Sequence, residues 1–462
     1  MPASASSLRS IIVAVAAGQF FLPFLIAGVM AILPSIGKDM QASAMELSLI
    51  GAVYSLSLAI FHLIAGRIGD IMGRRRVFLI GFGLLIAMTG LMAFAPDIPS
   101  LLGLRFVQAA GTGIMNTTAL AILVASAPPA ILGRVLSLSS VGLYLGITLS
   151  APIAGLVAST LGWRWLFGLI VPLTLPAWLL MAFKVKGEWY EAPNEPFDWA
   201  GCLTYSASII MLAVGAAWVV SFPWAWLLVG AGLIMLWMFV RVEQRCRKPL
   251  VDIGFTLRNR GLSLGLLSAF INFGSIFGGV FYFSMYLQHI NKLDPLEAGI
   301  FLSIQPAAQI LLASPAGKLS DKYGAERMAT LGIGLCGFSL LLAAQLGLDT
   351  SLYFVAAILT AAGCGMALFG PANTAAIMGS VDARHLSQTA GLVGTVRTLG
   401  VLANTVLVSM IMLTYLGHDT ITDANAPVFV EAMHFNFVLF GLFNLLGFIC
   451  SLTRLFQLRK TG

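Results

Sequence analysis

Charged side chains are scarce in this sequence. Asp, Glu, Lys and Arg make up 10% of the 462 residues, whereas soluble proteins carry about 25%. Hydrophobic residues make up 59%, and the mean hydropathy is +0.94. So little polar surface cannot coat a water-facing shell. This excludes a soluble enzyme, a disordered protein and a nucleic-acid binder whose net charge of +7 gathers on one soluble face. Lipid must therefore be the solvent for most of the chain.

The cysteines and the missing phosphate loop point away from any cofactor. The five cysteines form no CxxC pair and no Cys/His cluster, so neither a disulfide framework nor a metal site is predicted. The sequence also lacks a GxxxxGK(S/T) loop for nucleotide phosphates. We expect a protein that works without metal or cofactor. The first apolar run is too long for a cleavable signal, which makes it the first membrane span.

Long apolar stretches dominate what is present. A helix needs about 20 apolar residues to cross a bilayer, and these stretches lack the alternation of barrel strands. The sequence therefore predicts an all-α membrane protein with fourteen spans. They cover residues 10–36, 45–68, 77–96, 98–126, 133–158, 163–183, 198–219, 223–242, 260–288, 296–318, 327–347, 351–378, 385–413 and 431–455.

The basic residues indicate the orientation of these spans. Most Lys and Arg fall in segments on the same side as both termini, with clusters at 67–76 and 241–260. Cytoplasmic loops carry the excess of Lys and Arg in membrane proteins. We therefore expect a multi-pass plasma-membrane protein, in the inner membrane if bacterial, with both termini in the cytoplasm.

One segment of the chain is repeated. GRIGDIMGRRR at residues 66–76 matches GKLSDKYGAER at residues 317–327, and both copies fall between the second and third spans of a unit. Six spans with their loops account for each repeat, and spans seven and eight are left over as an inserted pair. Repeated halves are typical of transporters, with the substrate path at their interface.

Four motifs carry a resemblance to a known family. They are the loop at 66–76, Arg-Phe-Val-Gln-Ala-Ala-Gly at 105–111, Trp-Arg-Trp-Leu-Phe at 163–167 and Asp-Trp-Ala-Gly at 198–201. The chain resembles the major facilitator superfamily, in its fourteen-helix drug/proton antiporter branch. The resemblance implies the major facilitator fold: an N-terminal six-helix bundle (1–184), an inserted two-helix linker (185–257) and a C-terminal six-helix bundle (258–462).

The same resemblance implies a function. It favours proton-coupled efflux of amphipathic drugs or toxic organic compounds by alternating access, performed by a monomer in the lipid bilayer with no nucleic-acid partner. It also implies that the loop motif gates the transporter, with Asp70 contacting a helix terminus and a loop arginine to lock the outward-facing state. Our gating candidates are Gly66, Asp70, Gly73, Arg74, Arg75, Arg76, Gly317, Asp321 and Gly324. The alternative is a basic cluster that only fixes topology.

Polar groups inside the spans are candidates for proton coupling. An arginine in lipid costs about 2.5–3.5 kcal/mol on insertion scales, so Arg105 should face the protein interior, with Gln108 one turn along. Glu46 and His62 are further coupling candidates, although a lone histidine more often packs and hydrogen-bonds. In the fifth span, Gly146, Pro152 and Gly155 resemble the antiporter motif, and close helix packing is an equally good explanation.

One absence affects the expected cargo. Relatives in this branch usually carry an aspartate in the first helix, about nine residues before a Leu-Pro pair, where this sequence has Leu25. None of the acidic residues falls at mid-depth in a predicted span, and the deep charges are Arg105 and Arg397. Either a helix-end acid couples transport, or the cargo is an anionic or neutral metabolite, siderophore-like or lipid-like.

Further polar residues in the predicted spans are candidates for lining the substrate cavity. Unsatisfied amides are costly in lipid, so these groups should point inwards. Hydrogen bonds between helices are the alternative role for each. The candidates are Gln19, Tyr54, Asn116, Tyr144, Asn272, Tyr282, Gln305, Gln309, Asn373 and Arg397.

A membrane enzyme is the competing class of function. The nearest catalytic pattern is His418-x4-Asp423, an acyltransferase-like spacing in the long loop 414–430. No nucleophile or phosphate-binding partner lies nearby in the sequence. We therefore expect a transporter and no enzyme.

Overall fold

The computed structural model describes residues 5–126, 132–190, 192–193, 195–220, 222–246, 249–381, 386–417, 419–422 and 424–461. These residues are almost entirely helical, and no β-strand lies among them. The first part of the chain forms α1 (Ala5–Phe21), a 3-10 turn (Leu22–Leu25), α2 (Ala27–Ala31), α3 (Leu33–Met40), α4 (Ala44–Met72), α5 (Arg74–Met92), α6 (Ile98–Ser126), α7 (Leu132–Thr160) and α8 (Arg164–Lys184).

The remaining helices follow in the predicted order. They are α9 (Trp199–Trp218), α10 (Ala225–Arg245), α11 (Ile253–Arg258), α12 (Arg260–Met285) with a π turn (Tyr286–Ile290), α13 (Pro295–Tyr323), α14 (Ala325–Ala343), α15 (Leu352–Met378), α16 (Leu386–Leu416) and α17 (Ala426–Thr461).

Thirteen stretches of the described helices are long and apolar enough to cross a membrane. The helix at the position of the predicted fifth span, α7, contributes a shorter apolar segment, Leu145–Thr160. The chain is therefore a multi-pass, all-α membrane protein. The count of fourteen spans stays a prediction.

The first predicted span is a broken helix. Pro23 lies in the 3-10 turn, Pro34 starts α3, and Ile26 between the turn and α2 has φ −109° and ψ −81°. Proline removes a backbone donor and crowds the preceding turn, so the helical ladder cannot run through this segment. The break follows directly on Leu25, whose carbonyl faces the interior of the bundle.

The helices α4 and α13 show the repeat in atomic detail. Each has 29 residues and begins with a capping box, Ser43 with Glu46 and Asp294 with Glu297. Each ends at a glycine with positive φ, Gly73 at 103° and Gly324 at 94°. Glu46 thus receives the Ser43 N–H at 2.8 Å as part of a helix cap. The structure gives this coupling candidate a role in capping α4.

The two sequence repeats meet through two helix pairs. The helix α4 packs along α16, and α7 packs along α13. The inserted helices α9 and α10 pack against each other, and α9 also reaches α4 and α16. One bond fixes that attachment, since the Tyr205 hydroxyl donates to the Ala59 carbonyl at 3.0 Å.

Candidate functional site

Arg105 is the best-anchored charge in the interior. It is fully buried on α6. Its guanidinium donates to the backbone carbonyl of Leu25 and, at 2.7 Å, to Gln108 Oε1. The Tyr54 ring lies against it, 4.1 Å from the guanidinium carbon to the ring centroid. Because the break in the first span exposes the Leu25 carbonyl, a backbone oxygen accepts a hydrogen bond from Arg105.

Gln108 extends this cluster to a third helix. Its amide nitrogen donates to Thr89 Oγ1 on α5 at 2.7 Å, and Thr89 donates to the Leu85 carbonyl at 2.6 Å. Through bonds and ring contact, Arg105 and Gln108 therefore join the 3-10 turn that follows α1 to α4, α5 and α6. These contacts enclose the Arg105 side chain, which is 0% exposed.

A series of hydrogen bonds between side chains, which we call the hydrogen-bond chain, crosses from one repeat to the other. Gln19 on α1 donates to Asn116 Oδ1 at 2.8 Å, and Asn116 Nδ2 lies 3.3 Å from His62 Nε2. His62 Nδ1 lies 3.1 Å from Thr398 Oγ1 on α16, and Thr398 donates to the Gly394 carbonyl at 3.0 Å. The sequence could not pair His62 with Thr398, because they lie 336 positions apart.

The hydrogen-bond chain is consistent with a neutral His62. With the Asn116 amide nitrogen facing His62, Nε2 accepts and Nδ1 carries the hydrogen. That hydrogen points at Thr398 Oγ1, whose own hydrogen is used at Gly394. Every bond is satisfied with a neutral imidazole. A proton on Nε2 would set two donors against each other at Asn116.

Arg397 is placed differently from Arg105. It is half-buried on α16, donates to Thr374 Oγ1 at 2.5 Å, and lies over the Phe273 ring at 4.4 Å. All these partners belong to the second half of the chain. The contacts leave part of the side chain exposed, so Arg397 is the deep cation more accessible to a ligand.

The other cavity candidates divide into two groups. Asn272, Tyr282 and Asn373 are fully buried among helices of the second half. Asn373 donates to the Gly265 carbonyl at 3.0 Å, and Tyr282 accepts from Asn436 at 2.5 Å. Their bonds tie helices together, which is the packing alternative. Gln305 and Gln309 are half-buried one turn apart on α13. The side chain of Tyr144 lies outside the described residues.

The first loop copy is held by its own half of the chain. Asp70 pairs with Arg74 at 2.8 Å. Arg75 donates through its guanidinium to the Ala182 carbonyl at the end of α8, at 2.6 Å. The residue that the sequence did not single out is Glu188. Its carboxylate accepts the backbone N–H of Arg75 at 2.6 Å and of Arg76 at 3.1 Å, which places negative charge at the start of α5.

The glycines of this loop explain its shape. Gly73 has φ 103°, a conformation that side chains rarely adopt, and a Cβ there would lie 2.6 Å from the Glu188 side chain. Gly66 packs against Thr117. In the second copy Gly324 keeps the positive φ, but a Cβ there would lie 3.9 Å from its nearest described contact, Glu326, and a Cβ on Gly317 would meet nothing within 4 Å. The Asp321 side chain lies outside the described residues.

The glycines of α7 lie where helices meet most closely. A Cβ on Gly146 would lie 2.1 Å from the Phe20 carbonyl oxygen of α1, and one on Gly155 would lie 2.0 Å from the Pro295 carbonyl oxygen of α13. Pro152 lies between them inside the helix. The candidate antiporter motif is thus a contact surface, with Gly155 touching the second half.

Several further contacts join the halves near the start of α4. Ser48 donates to Ser409 at 2.7 Å, Ser284 donates to the Met30 carbonyl at 2.7 Å, and the Ala44 N–H donates to the Asp419 carbonyl at 3.2 Å. We call this region, with Gly155 and Pro295, the closed end. His418 and Asp423, the residues of the enzyme alternative, lie outside the described residues.

The model of the Major Facilitator Superfamily matches residues 15–200 and 265–461 of the chain. The chain belongs to this superfamily. Its members are transport proteins, so this chain is a membrane transporter rather than an enzyme.

Curated relatives cover most of the chain. The riboflavin transporter RibZ of Clostridioides difficile is 23% identical, over 93% of this chain and 92% of its own length. The drug efflux pump JefA of Mycobacterium tuberculosis is 28% identical, over 83% of this chain and 76% of its own. The tetracenomycin C resistance and export protein of Streptomyces glaucescens is 25% identical, over 85% of this chain and 74% of its own.

Solved structures share the fold. A POT family transporter in complex with 5-aminolevulinic acid superposes with a TM-score of 0.73 at 16% identity, covering 96% of this chain and 95% of that one. A peptide transporter POT in complex with sulfate superposes with a TM-score of 0.67 at 18% identity, covering 94% and 93%. At these identities the likeness concerns the fold alone.

Proposed function

We propose that this transporter exports amphipathic drugs or other toxic organic compounds in exchange for protons. Superfamily membership and the relatives named as drug efflux and export proteins support this cargo class. The halves, residues 1–184 and 258–462, rock about their interface, and the inserted pair lies between them in sequence. The protein works as a monomer in the plasma membrane with both termini in the cytoplasm.

The hydrogen-bond chain from Gln19 to Thr398 carries the proposal of proton coupling. His62 is the one member of this hydrogen-bond chain, from Gln19 to Thr398, whose side chain can accept or release a proton to change its charge. Protonation turns its Nε2 from acceptor to donor and breaks the bond from Asn116. The next bond, from His62 to Thr398, joins the two halves. Protonation of His62 therefore changes the energy of the α4–α16 contact, which must open and close during transport.

Arg105 serves this mechanism as an organising group. It fixes the broken first span to α6 through the Leu25 carbonyl, and Gln19 of the coupling chain lies on that same span. The gating role falls to the first loop copy, Asp70 with Arg74 and Glu188, because its contacts join α4, α5 and α8. With both termini in the cytoplasm, the closed end would face away from the cytoplasm, and we infer an inward-facing state.

A second candidate function rests on Arg397. Its half-buried, positively charged side chain suits an anionic group, and the predicted spans offer no mid-depth carboxylate for a lipophilic cation. One relative is named as a riboflavin transporter. On this alternative the chain exports an anionic or neutral metabolite, and coupling to protons is weak or involves another ion.

Inside-out membrane vesicles with an imposed proton gradient and a pH-sensitive dye test both candidates. We expect lipophilic cations to collapse the gradient with wild-type protein, and His62→Gln to abolish the response. The matched control is Glu297→Gln, which alters an exposed helix cap and should respond like wild type. A response to amphipathic anions alone, lost in Arg397→Met, would replace the drug proposal with the second candidate.

A further inference from the structure

Two carboxylates meet at the base of the inserted helices. Asp198 caps α9, with Oδ1 accepting the Gly201 N–H at 2.8 Å. Glu243 lies in the last turn of α10, with Oε2 accepting the Val251 N–H at 3.0 Å. The second oxygen of each group, Asp198 Oδ2 and Glu243 Oε1, is buried and has no hydrogen-bond partner.

These two unpartnered oxygens converge on one point. A Cβ on Gly201 would lie 2.6 Å from Asp198 Oδ2 and 2.7 Å from Glu243 Oε1, so only glycine lets the carboxylates approach. Glu243 is only 3% exposed. Burying an ionised carboxylate without a partner is costly, and a like charge beside it adds to that cost. Such a pair shares a proton or binds another cation.

Among the residues that the structure describes, no cation forms an ion pair with Asp198 or Glu243. Within the described residues Glu243 forms no salt bridge, and no group of three or more His, Cys, Asp or Glu could hold a metal ion. Arg247 and Lys248 lie outside those residues. Several ionisable side chains lie on the neighbouring segments. Arg67 and Glu195 pair with each other at 2.6 Å, and Asp252 caps α11. The others are Cys202 and Tyr205 on α9 and the exposed Arg241 and Arg245 on α10.

The position of the pair gives it a mechanical consequence. Residues 185–198 lead into α9, and their Glu188 holds the first loop copy. Residues 246–252 lead out of α10 towards α12, and Val251 on this segment binds Glu243. The helix α9 is also bonded to α4 through Tyr205. The pair therefore joins both connections between the halves.

We propose that Asp198 and Glu243 together bind one proton, carried on Glu243, and that this proton holds the two linkers together. With the proton bound, one negative charge remains and the acid can donate a hydrogen bond across the gap. When the proton leaves, the two carboxylates repel and the base of the α9–α10 pair loosens. This site goes beyond the proposed cargo and is separate from His62.

Thermal unfolding of the purified full-length protein in detergent tests this without any transport assay. The folded protein holds a proton that the unfolded chain releases at these pH values, so stability must fall as pH rises. Wild type should lose about 2–4 °C of melting temperature from this site between about pH 6 and about pH 8.5. Glu243→Gln mimics the protonated acid and should lose that part of the slope. Glu297→Gln, at an exposed cap, should keep the wild-type slope.

Two outcomes would overturn the proposal. One is an equal slope in wild type and Glu243→Gln. The other is a rise in the wild-type melting temperature at about pH 8.5 when sodium or potassium replaces choline, since a metal cation would then occupy the site. A labelling experiment on wild type covers the case in which the variant fails to fold. A hydrophobic carbodiimide, which reacts with protonated carboxyls, should modify Glu243 at about pH 6 and much less at about pH 8.5. Equal modification at both values would contradict the proposal.

Discussion

The helices α4 and α13 are two copies of one element that differ in what surrounds them. Both have 29 residues, a capping box at the start and a positive-φ glycine at the end. Yet α4 carries His62 where α13 carries Ala313 at the same offset. A Cβ on Gly73 would lie 2.6 Å from Glu188, whereas a Cβ on Gly324 would lie 3.9 Å from its nearest described contact. Both copies keep the residues that shape the helix, while the histidine is found in the first copy alone.

Arg105 and Arg397 should give the largest contrast between the halves. Arg105→Met leaves the Leu25 carbonyl and Gln108 unpaired, at about 1–3 kcal/mol for each buried group. We expect reduced stability and at least about a tenfold loss of transport. Arg397→Met should fold normally and change which compounds are carried. Transport of a substrate panel, at matched amounts of folded protein, measures both. Equal behaviour of the two variants would remove the distinction.

The two turn glycines should give the next largest contrast. Gly73→Ala and Gly324→Ala both force a side chain into a conformation that costs about 1–3 kcal/mol. Only Gly73→Ala also collides with Glu188, so it should lower the melting temperature in detergent more than Gly324→Ala. Shortening the partner, in Gly73→Ala with Glu188→Ala, should remove the collision. A larger loss in Gly324→Ala would contradict the assigned role of Glu188.

The smallest contrast concerns Asp39, which has Ile290 as its counterpart at the repeat offset. A hydrogen bond from Arg164 holds the pKa of Asp39 below its ordinary value. The pair therefore stabilises the fold above the ordinary aspartate pKa, and the contribution disappears as pH falls through the lowered value. Because both side chains are partly exposed, Asp39→Asn should cost less than about 1 kcal/mol at neutral pH. Melting curves of wild type and variant should converge in acid; a constant difference would mean that the ion pair is not its source.

Local pattern was enough to predict the helical membrane fold and the repeat. Apolar stretches, capping residues and the glycine-bounded loop depend on residues that are close together in the sequence. For that reason they can be recognised from the sequence alone. The pairing of Arg75 with Glu188 was not, because 113 positions separate them. The partner of Arg105 was hidden for another reason: it is the backbone carbonyl of Leu25, and no side chain marks it.

The candidate site divides in the same way. Arg105, Gln108, Gln19, Asn116 and His62 stood out as polar residues in apolar helices, and the structure brings them into two bonded clusters. Asn272, Tyr282 and Asn373 gave the same signal but tie together helices of the second half. Polarity in a span reveals that a residue needs a partner. Whether that partner lies within one half or across the interface depends on the packing.

The central claim is that His62 couples proton movement to the contact between the halves. Two assays in proteoliposomes separate proton coupling from substrate transport itself. One measures substrate exchange without a gradient, and the other measures substrate accumulation driven by an imposed pH difference. We predict that His62→Gln keeps exchange near the wild-type rate and loses driven accumulation. Driven accumulation in His62→Gln equal to that of wild type would contradict the claim.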